Sequence, residues 1–294
     1  MRLRILGSAA GGGVPQWNCA CRVCRGAREG RVAPRSQASA AVSADGERWF
    51  VLHASPDIRQ QIEAFPALHP RASRHTPIAG VLLANGDLDA CLGLYALRES
   101  QPLVVYATDR VARGFRENNA IYRTLERTPD QLSWRALALG VEQPLEGSLW
   151  VTAIAVPGKV PLHLTGRCAP SAEDNVALRI RDARHSVVWA PSVAAASPGL
   201  VQAMREASCI LFDGTFWSSD ELEESGAGTR RAEEMGHWPL SAGSLELLAA
   251  APASRRVLVH INNTNPVLIE SSPERAEVSA AGVEVAFDGM EIVL

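Results

Sequence analysis

Ala38-Ser39-Ala40-Ala41-Val42-Ser43-Ala44-Asp45-Gly46-Glu47-Arg48-Trp49-Phe50-Val51-Leu52-His53 holds two apolar runs around an Asp-Gly pair. Glycine reaches the positive φ of a tight turn, so Asp45-Gly46 predicts a hairpin between strands Ala38–Val42 and Arg48–His53. Val176–Ile180 and Ser186–Trp189 repeat the pattern, turning near Asp182. Each hairpin is followed by alternating strands and helices. After the first, Ser55-Pro56-Asp57 opens a helix through Ile62, with Pro56 suited to the first turn. Gly80–Leu83 and Leu103–Ala107 then read as strands, and Ala90–Arg98 and Ala112–Leu125 as helices. After the second, Pro198–Arg205 is helical, Cys209–Phe212 is a strand ending at Asp213, Gly243–Ala250 is helical and Arg256–Ile261 is a core strand. Arg2–Leu6, Trp150–Val156 and Val283–Phe287 complete the strands. Hairpins combined with βαβ alternation predict an α/β sandwich of two mixed sheets with helices outside. No repeat or linker divides residues 1–294, so one domain is expected. Gly158–Asp174 is a long loop without obvious structure, of the kind that is either disordered or functional.

The chain has 294 residues, a net charge of −3 and 21% charged residues. That balance argues against electrostatic capture of nucleic acid or of an anionic membrane. No apolar run approaches the roughly 20 residues that span a bilayer. Met1–Leu6 reaches glycine after one short strand, too soon for a secretory signal, so a cytoplasmic location is expected.

Six cysteines are few for a disulfide scaffold of this length. Cys19, Cys21 and Cys24 lie together in Cys19-Ala20-Cys21-Arg22-Val23-Cys24, and pairing would leave one over. Three thiolates on a tight turn suit a tetrahedral zinc ion, giving a structural zinc loop over residues 18–25. The fourth ligand must come from elsewhere, and His260, at the end of a core strand, is the expected one. A redox pair at Cys21 and Cys24 would make Cys19 superfluous and lacks a surrounding βαβ unit. Cys209, inside an apolar strand, reads as a small buried hydrophobe.

Gly7-Ser8-Ala9-Ala10-Gly11-Gly12-Gly13-Val14-Pro15-Gln16-Trp17-Asn18, running into the cysteines, resembles the opening of the coenzyme PQQ (pyrroloquinoline quinone) biosynthesis protein B family. The resemblance continues in Ala54-Ser55-Pro56-Asp57-Ile58-Arg59, Leu211-Phe212-Asp213-Gly214-Thr215-Phe216-Trp217 and Glu234-Met235-Gly236-His237. It extends through His260-Ile261-Asn262-Asn263-Thr264-Asn265-Pro266, Ser272-Pro273-Glu274-Arg275-Ala276-Glu277 and Ala286-Phe287-Asp288-Gly289-Met290. It implies a metallo-β-lactamase fold, an αββα sandwich with metal ligands on loops at the sheet edge. The superfamily's ligand motif, His-x-His-x-Asp-His, falls at Asn85-Gly86-Asp87-Leu88-Asp89-Ala90. The family itself lacks the first two histidines but usually keeps the Asp-His pair. This chain keeps Asp89 and has Ala90 where that histidine would stand.

Asp87, Asp89, Asp213, His237 and His260 remain as candidates. A mononuclear iron(II) oxygenase needs two histidines and one carboxylate around open positions. His237, His260 and one of the aspartates would supply them; His163, in the long loop, is a weaker candidate. Asp57 reads as a helix cap. Arg230, with Arg231, and the amide Asn263 are expected to bind the carboxylates and polar groups of PQQ or its precursor. The resemblance implies an iron- and dioxygen-dependent hydroxylase of the tyrosine ring in a glutamate–tyrosine-derived intermediate. A second implied role is a non-catalytic carrier of PQQ or its precursor toward the periplasm. Other proteins of the pathway, or a second copy in a homodimer, are the expected protein partners.

Overall fold

In the computed structural model, which describes residues 1–117 and 119–294, two seven-stranded sheets face each other. The first contains β1 (Arg2–Gly7), β2 (Ser39–Ser43), β3 (Trp49–Leu52), β4 (Ile78–Leu82), β5 (Leu103–Ala107) and β6 (Leu132–Ala136). The second contains β7 (Glu142–Leu145), β8 (Leu149–Ala155), β9 (Val176–Arg181), β10 (Ser186–Ala190), β11 (Cys209–Asp213), β12 (Arg255–Val259) and β13 (Glu284–Val285). β14 (Glu291–Val293) returns to the edge of the first, giving orders 14-1-2-3-4-5-6 and 13-12-11-10-9-8-7. β2 and β3 pair antiparallel, with Ala41 opposite Val51. The Asp45 carboxylate accepts from the backbone of Glu47 and Arg48, while Gly46 takes a φ of 81°. The second hairpin is built alike, with Asp182 accepting from Arg184 and His185.

The eight helices seen among the described residues are α1 (Arg22–Arg28), α2 (Ile58–Glu63), α3 (Leu88–Cys91), α4 (Asp109–Arg116), α5 (Pro198–Glu206), α6 (Glu221–Glu224), α7 (Ser244–Ala249) and α8 (Pro273–Ala280). Alternation along the strands explains the layers, because successive side chains point to opposite faces. Phe50 and Leu52 of β3 meet Trp189 and Leu211 between the sheets, while Val51 faces Ile58 of α2 and Phe115 of α4. Ile210 and Phe212 of β11 face Leu200, Leu248 and Val278 of the other helical layer. Both faces of each sheet are therefore buried, as an αββα sandwich requires. Cys209 is fully buried between the sheets, and burial pushes its thiol up to about 12.

Several expected elements change in detail. The Ala90–Arg98 helix is instead α3, starting at Leu88, continued by a 3-10 stretch over Leu92–Leu97. The Ala112–Leu125 helix divides into α4 and a 3-10 turn at Ala120–Thr124; position 118 of that expectation lies outside the described residues. Asp57 stands before α2, yet its side chain makes no cap hydrogen bond. It accepts instead from the backbone and side chain of Gln37. No helix among the described residues is long and apolar enough to cross a membrane.

Two candidate metal centres

The first centre is local. Cys21 precedes α1, and its sulfur accepts from Cys24 N at 3.4 Å, while Cys21 N points to the Cys19 sulfur at 3.4 Å. Gln16 N and the Asn263 side-chain amide each approach the Cys24 sulfur at 3.3 Å. The three sulfurs lie within 4.8 Å of one another. Burial pushes the Cys21 thiol up to about 11. Burial would also raise Cys19, but N–H donation from Cys21 holds it below its ordinary value. Converging N–H donors and clustered sulfurs make a set that a thiophilic cation would complete.

The expected fourth ligand, His260, is not beside the thiols. Both of its ring nitrogens are engaged elsewhere, and it groups with Asp213 and His237. The group that meets the thiols is Asn263, whose carbonyl oxygen accepts from the Cys21 sulfur at 3.2 Å. The turn after β12 thus directs residue 260 to one centre and residue 263 to the other. Asn263 therefore belongs to the thiol centre rather than to a cofactor pocket. Arg230 is exposed and donates to the Glu234 carbonyl at 2.9 Å, away from both centres.

The second centre is assembled at one edge of the sandwich. Asp213 ends β11, His260 follows β12 at a φ of 55°, Asp89 lies in α3 after β4, and His237 follows the left-handed Gly236. The Asp213 carboxylate is saturated. One oxygen accepts from Val193 N (2.8 Å) and His237 Nδ1 (2.7 Å), the other from Thr215 N (3.0 Å) and the Thr215 hydroxyl (2.6 Å). A carboxylate offers about four lone-pair positions, so Asp213 has none left for a metal. Its burial would raise the carboxyl, but His237 beside it holds it below the ordinary value.

Asp213 accepts only, so His237 Nδ1 carries the proton and Nε2 keeps a lone pair. His260 differs, because both of its ring nitrogens face an acceptor. The Thr215 hydroxyl proton goes to the ionised Asp213 at 2.6 Å, so its oxygen accepts from His260 Nδ1 at 2.7 Å. His260 Nε2 donates to the Asp89 carboxylate at 2.8 Å, so a metal at Nε2 would take the place of that proton. Burial favours the neutral ring, but hydrogen bonding to Asp89 raises His260 above its ordinary value. Burial likewise opposes ionisation of Asp89, and His260 carries it well below the carboxylate range.

The two imidazoles stack with centroids 5.4 Å apart and planes at 24°. Asp89, His237 and His260 line one cavity of about 440 Å³, with Lys159 and Asp87 paired at 3.3 Å on its wall; Asp213 lies behind it. His163 also lines it. The outer nitrogens are fixed by Asp213 and Thr215, the usual outer-shell orientation of metal-binding histidines, and the inner nitrogen of His260 meets a carboxylate. Ala90 is buried and brings no donor. His53, at a φ of 63°, accepts from Ala84 N, and burial brings it down to about 3. Thr215 and Lys159 escaped the sequence reading, although Thr215 stands two residues after the singled-out Asp213.

A model of the β-lactamase superfamily domain matches residues 48–261. Coenzyme PQQ synthesis protein B of Ectopseudomonas mendocina is 45% identical, and that of Ruegeria pomeroyi 44%, each alignment covering 100% of both chains. The crystal structure of Zn(2+)-bound PqqB from Methylobacterium extorquens superposes with a TM-score of 0.94 at 44% identity, covering 100% of both chains. A diphosphatase of the PhnP family, at 18% identity, shares the fold with a TM-score of 0.73, covering 99% of this chain and 97% of that one. Fold, full-length similarity and edge site agree: the chain belongs to the coenzyme PQQ synthesis protein B family of the β-lactamase superfamily.

Proposed function

We propose that the chain serves PQQ biosynthesis in the cytoplasm as an iron-dependent hydroxylase of the tyrosine ring in a glutamate–tyrosine-derived precursor. The observation that carries this reading is the convergence of Asp89, His237 and His260 on one cavity, each imidazole held through its outer nitrogen. Two histidines and one carboxylate with open positions form the donor set of non-haem iron(II) oxygenases. Asp89, His237 and His260 would hold the iron, which would supply the redox chemistry that dioxygen requires. Asp213 and Thr215 orient the rings, and the Lys159–Asp87 pair lies on the cavity wall. Phe216, buried against His237, keeps one side of the site apolar. The cysteine centre, in turn, would hold zinc through Cys19, Cys21 and Cys24, with an oxygen of Asn263 in the fourth position. Zinc in the Methylobacterium relative supports a zinc-binding role for the family.

The second reading is the carrier of PQQ or its precursor, and Ala90 favours it. A buried alanine removes one donor from the edge site and weakens its hold on a metal. One experiment separates the two. Protein loaded anaerobically with iron(II) is given a tyrosine-containing precursor peptide, dioxygen and ascorbate, and the product mass is measured. The hydroxylase reading expects one added oxygen atom per ring. Unchanged peptide mass, with no iron retained, would leave the carrier.

A further inference from the structure

Beside the edge cavity lies a larger one of about 660 Å³, sharing Leu88, Leu92 and His163 with it as a common wall. This is the size of a site for a small organic molecule. Its far side carries Arg110, Arg113 and Arg167, against one lining carboxylate, Glu117. Arg110 is already committed, to Asp174 at 2.8 Å and to the Ala169 carbonyl at 2.8 Å. Arg113 and Arg167 make no ion pair or side-chain hydrogen bond among the described residues. They project from different segments, α4 and the long loop, toward one space.

The apolar lining supplies an independent sign of a ligand. Among the described residues, eight large hydrophobic side chains are exposed, and four of them, Leu88, Leu92, Ile121 and Leu162, line these two cavities. Scattered exposed hydrophobics are ordinary, whereas a cluster rimmed by charge marks a binding site. Guanidinium forks suit carboxylates in two-point contact, and leucine and phenylalanine walls suit a flat ring.

We propose that this cavity is the carboxylate-recognition subsite of the protein. It takes the acidic end of an aromatic polycarboxylate through Arg113 and Arg167, while the ring crosses the Leu88–Leu92 wall toward Asp89, His237 and His260. The proposal rests on the function above for where the ring lies, and on the two arginines for how the acidic end is held. Arg230, the arginine suggested by sequence, takes no part.

PQQ itself, a fused-ring tricarboxylate, is the probe. Its affinity for the metal-loaded full chain is measured by titration calorimetry in wild type, Arg113→Ala, Arg167→Ala, the corresponding lysine variants, and Arg230→Ala. Both alanine variants should bind at least about tenfold more weakly, the loss expected for a charged hydrogen bond. Lysine should restore part of that loss, and Arg230→Ala should match wild type. The arginines are exposed, so unchanged metal content and melting temperature verify folding. Wild-type affinity in both alanine variants, or no PQQ binding by wild type, overturns the proposal. Failure of hydroxylation alongside arginine-dependent binding instead removes the oxygenase and leaves the subsite.

Discussion

The two candidate centres reach metal-binding geometry by opposite routes. At the thiol centre every sulfur comes from residues 19–24, so chain stiffness alone keeps them near one another. Burial holds Cys21 protonated up to about 11, and only a cation would make the thiolates worth their desolvation. At the edge centre, Asp89, His237 and His260 come from segments joined only by the fold. There the carboxylates are held ionised and the imidazoles pinned before any metal arrives. The first centre would be completed by an ion; the second is prepared by the protein. That contrast predicts that losing metal costs stability at one and function at the other.

The largest effect should follow Cys24→Ser. Val23 and Ala27 of α1 pack into the helical layer, and Cys21 and Cys24 meet Asn263, so the cysteine loop ties the N-terminal segment to the turn after β12. Loss of zinc should cost about 3–5 kcal/mol, read as a lower midpoint in urea unfolding. An unchanged midpoint would break the comparison from the thiol side.

Thr215→Val keeps the shape but deletes the acceptor of His260 Nδ1. Metal affinity at the edge should fall about 10- to 100-fold, with zinc at the cysteines untouched. Competition against a graded chelator gives the number. An unaltered affinity would show that Thr215 does not orient the ring.

A smaller effect concerns pH. His260 is raised above the ordinary histidine value of 6.5, so protons displace an edge metal from a higher pH than for a free imidazole. Edge affinity should therefore decline on acidification starting above that value. Metal-free stability runs the other way: the raised His260 contributes fully below the unfolded histidine value and its share is lost as pH rises through the folded one, while the share of the depressed Asp89 carboxyl is lost only in acid. Mutation of Asp89 to Asn should lower the pH at which edge affinity begins to fall. Matching profiles in the two proteins would contradict this linkage.

The parts of the molecule legible in sequence are those where local chemistry decides the outcome. Asp45-Gly46 forms its turn from its own side chain and backbone, and Cys19, Cys21 and Cys24 need no distant residue to cluster. Edge strands were harder. β6 runs half-exposed through Ser133, Trp134 and Arg135, β7 carries Pro144, and β14 buries only Ile292; none shows a buried apolar run. Proline is tolerated at such an edge because one side of the strand lacks a ladder partner. Among site residues, Asp213, His237, His260 and Asp89 were legible as candidates through family resemblance. Their division of labour was not. Whether an aspartate binds metal or fixes a ring depends on how many donors surround it, and Val193, Thr215 and His237 reach Asp213 only in the folded chain. The same limit placed His260 with the thiols, because only Ile261 and Asn262 separate it from Asn263. Arg230 read as a carboxylate binder from its charge, whereas Arg113 and Arg167 acquire that position from the packing of α4 against the long loop.

The proposed function requires this chain to hold two metals at separate centres. The direct test loads the protein anaerobically with zinc and iron(II), removes free metal, and counts metals per chain by mass spectrometry. Wild type should retain one zinc and one iron, and the His237→Ala/His260→Ala double variant should retain zinc alone. A single metal in wild type, or the full complement in the double variant, would contradict the account.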